Sequence, residues 1–304
     1  MRILVTGGTG FVGKHLTRHL VELGHEVTGL TRQVPTALNG GVRYIQGNPT
    51  KPGGWQSAVG QQEVIINLAG ESIFGRWSDE RKNVLRTSRI LTTLHLVEAI
   101  PAASRVTLIN ASAVGYYGDG ADRLLDETQP SGEGFLARLT RDWEFEASMA
   151  EEKGVRVIAA RIGMVLGKDG GALPDMVLPF RYFLGGTIGD GSQWISWIHV
   201  DDLVAGLVHL ATRPDLAGPF NLVSPHPVTN RDFVQTLGRT LHRPVWFSLP
   251  GRVFKTVLGE FGTVFTRGQR AVPQRLLESG FSFQYETLDR ALGELVGRGS
   301  RDRT

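Results

Sequence analysis

Three glycines near the start of the chain have the spacing of a phosphate-binding turn. Gly7, Gly10 and Gly13 follow the apolar run 1–6 and precede an amphipathic segment with a helical pattern. A strand, a tight turn and a helix in this order direct backbone N–H groups and the positive end of a helix dipole at an anion. The glycines allow the turn, the approach of a pyrophosphate and the packing of helix on strand. The pattern predicts a dinucleotide site with contacts from Gly7, Thr9, Gly10, Phe11, Val12 and Gly13.

The end of the second apolar run indicates which dinucleotide binds. An NAD site has a carboxylate about 20 residues beyond the glycines for the ribose 2′-hydroxyl, whereas a 2′-phosphate needs an arginine instead. No acidic residue occurs from Val27 to Gln62, and Arg32 follows Thr31 directly after the run. Arginine binds phosphate through two parallel hydrogen bonds. The sequence therefore predicts NADP bound by Thr31 and Arg32; a surface arginine in a connecting loop is the alternative.

Three hydroxyl groups near the middle of the chain could transfer a proton. Ser112 follows the apolar run 106–110, at the carboxyl end of a predicted strand, where open α/β sheets bind ligands. Tyr116 and Tyr117 are the nearest phenols, and either could deliver a proton to a reacting group within hydrogen-bond distance. We predict Ser112, Tyr116 and Tyr117 as catalytic residues. Two alternatives stay open, namely a serine that satisfies the local backbone and an aromatic pair that packs in a core.

Alternating strand and helix patterns must position these groups. Strand-like runs recur at 1–6, 26–30, 41–45, 64–69, 106–110 and 155–160, with helix-length segments between them. This alternation favours a parallel sheet with helices on both faces. The predicted fold class is α/β, a Rossmann-type doubly wound parallel sheet with a smaller C-terminal α/β substrate domain.

The later segments predict the domain boundaries. The nucleotide-binding domain is expected to comprise residues 1–165 and about 195–225, because this part carries the alternating pattern. The substrate side would comprise about 166–194 and 226–296, with a glycine-rich cover at 170–191 and a closing strand at 280–283. We expect a flexible tail at 297–304.

His199, Asp201 and Asp202 lie close enough in the sequence to suggest a metal site. The trio has no fourth ligand and no recognised spacing, so we predict no metal. Asp202 is instead expected to cap a helix, and His199 to be structural or to contact substrate.

Composition restricts the class of protein further. The chain has 304 residues, of which 41% are hydrophobic and 21% charged, enough for one large core or two smaller ones. It contains no cysteine, which excludes disulfides and thiolate sites. We expect no membrane segment and no secretory signal, since no apolar run is long enough, and therefore a cytoplasmic protein. The net charge of +3 comes from scattered basic residues, so nucleic acid is not the expected partner. A homodimer is left open.

Longer motifs in the same order resemble a known family. They are residues 6–13, 67–70, 110–118, 134–137, 141–144 and 193–202. The chain resembles the extended short-chain dehydrogenase/reductases, and more closely their atypical epimerase-family branch, the nucleoside-diphosphate-sugar epimerase-like proteins. The resemblance implies hydride transfer between a nicotinamide cofactor and a small-molecule substrate, either a carbonyl compound or a sugar nucleotide. It also implies further cofactor contacts from Asn48, Leu68, Ala69, Gly70, Arg141 and Arg161.

The chain departs from this resemblance at one essential point. In the wider superfamily, a Tyr-x-x-x-Lys pair on one helix face transfers a proton and holds the nicotinamide ribose. This chain contains no such pair, and the family's spacing from Ser112 falls near Ala137 and Arg141. Counted back from Tyr117, the superfamily's hydroxyl aligns with Ala113 instead. An arginine could hold the ribose, but its high pKa makes it a poor acid or base.

Two functional classes therefore remain. The first is an NADP-dependent oxidoreductase or epimerase whose proton carrier is Tyr116, Tyr117 or a bound water. The second is a non-catalytic NADPH-binding sensor or regulatory protein on the same fold. The missing pair favours the sensor, whereas the predicted pocket and the glycines of the substrate side favour the enzyme. A nucleic-acid-binding protein is a weaker third interpretation.

Overall fold

The strands follow the predicted alternation. The computed structural model describes residues 1–34, 40–250, 256 and 259–297. Within these residues the strands are β1 Arg2–Thr6, β2 Glu26–Thr31, β3 Val42–Gln46, β4 Val64–Asn67, β5 Thr107–Ala113, β6 Leu124–Leu125, β7 Arg156–Ile162, β8 Met164–Leu166, β9 Gly186–Ile188, β10 Trp194–Ile195, β11 Trp197–His199, β12 Gly218–Leu222, β13 Val228–Thr229, β14 Phe247–Leu249 and β15 Arg270–Ala271.

Helices connect most of the longer strands. In the described ranges the α-helices are α1 Phe11–Glu22, α2 Asp79–Ala99, α3 Phe135–Ser148, α4 Leu173–Arg181, α5 Val200–Thr212, α6 Asn230–Leu241, α7 Thr263–Thr266, α8 Gln274–Glu278 and α9 Leu288–Val296. Short 3-10 turns occupy Gly54–Gln61, Val114–Tyr117, Met149–Lys153 and Gly259–Gly262. None of the helices in these ranges combines the length and apolar character of a membrane-spanning segment.

Seven parallel strands form the central sheet, in the order β12-β7-β5-β4-β1-β2-β3. The chain leaves β1 for β2 and β3 on one side and then returns to β4 on the other. The strand order reverses at that point, and open α/β sheets bind ligands in the crevice that this reversal creates. The predicted Rossmann-type doubly wound sheet is confirmed.

Apolar side chains cover both faces of this sheet. Helices α1 and α5 share one core with the strands, and α1 contributes Leu16 and Leu20, which are fully buried one turn apart. Burying each such leucine stabilises the fold by about 1.5–3 kcal/mol. Helices α2 and α3 pack together on the opposite face, over a second core that includes Leu4, Ile65 and Leu108. The site residues at the strand ends are therefore held between two rigid layers.

The C-terminal region adds a third core, built mainly from α4, α6 and α9. The predicted cover at 170–191 contains the expected helix α4, but also the short strand β9, which pairs with β14 and which the glycine-rich composition did not predict. The predicted closing strand at 280–283 is wrong, because those residues are not in a strand. Phe281 and Phe283 instead pack against each other, with ring centroids 4.9 Å apart, in the core beside α5. The predicted tail lies outside the described residues except for Gly297.

The turn from β11 into α5 fastens the C-terminal segment to the sheet. Helix α5 begins at Val200, and the ring nitrogen Nδ1 of His199 accepts the N–H of Asp201 at 3.1 Å, so His199 rather than Asp202 is the cap. The Asp202 carboxylate accepts the N–H groups of Gln284 and Tyr285 at 2.7 and 2.9 Å. Burial raises the pKa of Asp202.

In the described part of the chain, no group of three His, Cys, Asp or Glu side chains could hold a metal ion.

Candidate functional site

The glycine turn between β1 and α1 has no room for side chains. Gly7 has a φ of +69°, and a Cβ there would lie 2.8 Å from the carbonyl oxygen of Leu68. A Cβ at Gly13 would lie 2.1 Å from the carbonyl oxygen of Gly7. The first N–H groups of a helix have no intrahelical partner. Gly10, which precedes α1, has no side chain that could cap them, so they stay available to a ligand. This cradle fits the pyrophosphate of a dinucleotide.

Phe11 contacts another glycine-rich segment. Its ring would lie 2.5 Å from a Cβ at Gly167 and 2.5 Å from a Cβ at Gly170. The ring nitrogen Nε2 of His15, one turn further along α1, lies 2.9 Å from Oδ1 of Asp169. The segment after β8 is therefore fixed against the start of α1, beside the glycine turn, while Thr9 and Val12 lie half-buried within the turn and first helical residues.

The end of β2 presents Arg32 to the crevice. Its side chain is 71% exposed, and Nη1 lies 3.3 Å from Oε1 of Glu71, which follows the β4 turn. An exposed ion pair of this kind contributes only about 0–1 kcal/mol, so a phosphate can replace the carboxylate. The Thr31 hydroxyl donates to the carbonyl oxygen of Gln33 at 2.9 Å and shapes the turn that carries Arg32. Asn48 is exposed after the neighbouring strand β3, where its Oδ1 accepts the N–H of Thr50 at 3.1 Å.

The turn after β4 is tied to β1. The Thr6 hydroxyl donates to Oδ1 of Asn67 at 2.5 Å and accepts the N–H of Ala69 at 3.2 Å. Asn67 also donates to Oδ1 of Asn110 at 2.6 Å, which links β4 to β5. These bonds fix the turn 68–70 beside the glycine turn. The structure therefore brings together the predicted cofactor contacts after β1, β2 and β4; Asn48 lies after β3, the next strand beyond β2.

A buried ionic network lies farther along the same edge, between the sheet and α3. Glu144 accepts the hydroxyl of Ser112 at 2.6 Å and both Nε and Nη2 of Arg161 at 2.9 Å. Arg161 also donates to the Tyr117 hydroxyl at 3.0 Å, and that hydroxyl donates to Oδ1 of Asn221 at 2.8 Å. The three neighbouring strands align these groups, since Ser112 and Asn221 are both register partners of Arg161.

Burial and hydrogen bonding in this network shift the pKa values of Tyr117 and Arg161. Ser112, Tyr117 and Arg161 are 3%, 1% and 3% exposed. Burial raises the pKa of Tyr117 to about 12, although the Arg161 cation partly opposes this shift. Burial works against the charge of Arg161, but its hydrogen bonds to Glu144 outweigh this, so the pKa of Arg161 is raised. The hydroxyls of Ser112 and Tyr117 both donate within the network; their catalytic role and the cofactor role of Arg161 stay predictions.

Tyr116, on the 3-10 turn Val114–Tyr117, and Arg141, on α3, line the same cavity. The Tyr116 ring covers the Arg161 guanidinium, whose Cζ is 3.6 Å from the ring centroid. Tyr116 and Arg141 help to line a cavity of about 290 Å³ that also touches Phe145, Val157 and Gly218, at the edge of the sheet formed by β12. Three strands, β7, β5 and β4, separate this edge from β1 and its glycine turn. The structure therefore does not bring Tyr116 and Arg141 together with the residues of that turn.

Helix α3 is the helix on which the family resemblance places the Tyr-x-x-x-Lys pair. Ala137, at the predicted tyrosine position, is 1% exposed. Arg141, at the predicted lysine position, has a 54% exposed side chain and pairs with Asp142 at 3.7 Å. This helix contains neither tyrosine nor lysine.

Sequence reasoning missed two charged residues of the site. Glu144 lies within the motif 141–144, but nothing in the sequence separates its 14% exposed side chain from the 35% exposed side chain of Asp142. Arg89 lies on α2 four residues after the buried Leu85, and its guanidinium reaches the β4 turn at Gly70. The signal for Arg89 was an arginine at a helical position that the spacing assigns to the buried face.

Comparisons with known proteins agree with this geometry. Residues 3–223 match the model of the NAD dependent epimerase/dehydratase family, and residues 249–295 match a domain of unknown function. The chain is 40% identical to the epimerase family protein YfhF of Bacillus subtilis, over 97% of this chain and 98% of the relative. It is 42% identical to the chloroplastic SDR39U1 homolog of Arabidopsis thaliana, over 97% of this chain and 87% of the relative. The crystal structure of human epimerase family protein SDR39U1 with NADPH is similar, with a TM-score of 0.85 and 33% identity over 97% of this chain and 99% of that one.

Proposed function

This chain belongs to the NAD dependent epimerase/dehydratase family, and from that premise we propose that it is an NADP(H)-binding oxidoreductase or epimerase. Its substrate would be a small carbonyl compound or a sugar nucleotide. When bound, the nicotinamide ring supplies or accepts the hydride. The nucleotide-binding region binds the dinucleotide and orients it across the strand ends. The C-terminal region binds the substrate.

The position of Arg32 is the observation that carries this proposal. The glycine turn fits the pyrophosphate of either nicotinamide cofactor, so it does not discriminate between them. Arg32 follows β2 on the surface of the crevice, where an NAD site would have a carboxylate. The NADPH in the human SDR39U1 structure supports the same choice.

The structure favours a bound water as the proton carrier. The Ser112 hydroxyl already donates to Glu144, and the Tyr117 hydroxyl to Asn221. With a pKa of about 12, Tyr117 gives up its proton reluctantly at neutral pH. Tyr116 lies over Arg161, beside the cavity at the β12 edge.

The second candidate is a sensor or regulatory protein that binds NADPH without turning it over. One observation favours it: where the family resemblance places the superfamily's tyrosine, this chain has the buried Ala137, and α3 contains no phenol. Such a protein would keep the cofactor cradle and lose the proton transfer.

Two measurements test the proposal. NADPH and NADH are titrated into the purified protein, and we expect tighter binding of NADPH. The protein is then incubated with NADPH and a panel of carbonyl compounds and sugar nucleotides, and nicotinamide oxidation and epimer exchange are followed. Tight NADPH binding without turnover on the whole panel would favour the sensor; weak binding of both cofactors would contradict the proposal.

A further inference from the structure

Arg89 places a positive charge beside the crevice, and among the residues that the structure describes it forms no ion pair of its own with a carboxylate. Its Nη1 donates to the carbonyl oxygen of Leu85 at 3.1 Å and its Nη2 to the carbonyl oxygen of Glu71 at 3.0 Å. Both acceptors are neutral. The Glu71 carboxylate attracts the cation only from a distance, because it pairs with Arg32.

The surroundings of Arg89 make this charge costly. Burial lowers the pKa of Arg89 to about 10, which still leaves the guanidinium protonated at neutral pH. Removing a charge from water without pairing it is destabilising, so such groups usually bind a counter-charge. Two neutral carbonyls leave the charge itself uncompensated.

The guanidinium lies against the turn that borders the glycine cradle. A Cβ at Gly70 would lie 3.1 Å from Cζ of Arg89, tighter than an ordinary contact, so the guanidinium lies directly against the backbone of Gly70. Leu68, in the same turn, touches Gly7 closely enough that a Cβ on Gly7 would lie 2.8 Å from its carbonyl oxygen. The turn 68–70 therefore contacts the phosphate-binding turn through Leu68 and Arg89 through Gly70.

Packing holds the guanidinium in place. Its Cζ lies 5.2 Å from the centroid of the Trp143 ring, and Trp143 Nε1 donates to the Thr93 hydroxyl at 2.9 Å. Arg32 and Arg89 thus flank the turn 69–71, one through the side chain of Glu71 and the other through its backbone carbonyl. A ligand that crosses this turn meets a cation on each side.

We infer that Arg89 is a phosphate-recognition residue of the crevice, which binds the pyrophosphate of the dinucleotide while Arg32 binds the 2′-phosphate. The inference rests on the proposed function, because it assumes that NADP(H) is the ligand. A guanidinium offers five N–H donors, and its two carbonyl partners leave donors for phosphate oxygens. The opposing interpretation is that Arg89 only tethers the turn to α2.

Calorimetric titration of three nucleotides into the Arg89→Gln variant separates phosphate recognition from a purely structural tether. NADPH and 2′-phospho-ADP-ribose contain the pyrophosphate, whereas 2′-AMP does not. We expect affinity for the first two to fall about ten- to a hundred-fold, because charge-assisted hydrogen bonds are lost. Affinity for 2′-AMP should be unchanged. Arg86→Gln, on the same helix with a 55% exposed side chain, is the matched control and should change none of the three.

The outcomes are distinct. Equal weakening of all three nucleotides, or unchanged NADPH binding with a lower unfolding temperature, would show that Arg89 is a tether. If Arg89→Gln does not fold, Arg89→Lys keeps the charge and must weaken NADPH more than 2′-AMP; equal effects overturn the inference. If the unmodified protein binds neither NADPH nor 2′-phospho-ADP-ribose, the proposed function itself is refuted.

Discussion

Replacing Glu144 with glutamine should destabilise the protein strongly, although the two side chains have nearly the same shape. The Glu144 side chain is 14% exposed and holds Ser112 and Arg161 through three hydrogen bonds. Glutamine removes the negative charge and brings an N–H₂ group to a site surrounded by donors. The guanidinium of Arg161, with a 4% exposed side chain, then stays buried without its counter-charge.

The size of the effect follows from that burial. Breaking a buried ion pair by removing one partner costs about 3–5 kcal/mol. The Tyr116 ring, 3.6 Å from Cζ of Arg161, contacts the guanidinium before and after the change, so it does not alter this cost. We therefore expect a loss of about 3–5 kcal/mol, a large part of the about 5–15 kcal/mol typical of a folded protein.

Urea unfolding measures this loss. Asp142→Asn is the control, because Asp142 lies on the same helix and makes only exposed pairs with Arg86 and Arg141, worth about 0–1 kcal/mol. Removing both charges with Glu144→Gln and Arg161→Met should cost less than the two single changes added together. A loss no larger than that of Asp142→Asn, or strictly additive effects, would refute the role assigned to the buried pair.

Three further predictions concern the cradle, the cofactor choice and the network. Gly13→Ala should abolish measurable NADPH binding by calorimetry, because its Cβ would lie 2.1 Å from the carbonyl oxygen of Gly7; retained affinity would contradict the cradle. Arg32→Asp should weaken NADPH far more than NADH, and equal weakening would argue against a 2′-phosphate site. The phenol of Tyr117, with a pKa of about 12 in the fold against 10.0 ordinarily, contributes stability below pH 10 that is lost as the pH rises towards 12. Urea unfolding of Tyr117→Phe should therefore show less alkaline loss than the unmodified protein, and parallel pH curves would contradict this.

The sheet and the cofactor cradle could be predicted because their signals are local. The run 1–6, the glycine spacing and Arg32 each act within one strand–turn–helix unit, and the alternation of strands and helices indicates how such units assemble. The family resemblance places the Tyr-x-x-x-Lys pair at positions 137 and 141, where this chain has Ala137 and Arg141; that placement stays a prediction. The NADP prediction agrees with the NADPH in the human SDR39U1 structure.

The directions in which side chains point at the strand ends could not be predicted from the sequence, because they depend on strand register and helix packing. Ser112 bonds Glu144 because β5 and β7 align it with Arg161 under α3, and that register arises only in the folded sheet. The helical spacing places Arg89 on the buried face of α2. Its contact with the turn at Gly70, however, depends on how α2 packs against the sheet. The segment 280–283 has the composition of a strand, yet Phe281 and Phe283 are buried by packing beside α5.

The affinity of the purified protein for NADPH against NADH tests the central claim most directly. With Arg32 at the end of β2 and no acidic residue from Val27 to Gln62, we predict at least about ten-fold tighter binding of NADPH, the effect of one charge-assisted phosphate contact. The preference should shrink as salt is added, because Arg32 is exposed. Equal affinities, or tighter binding of NADH, would contradict the account.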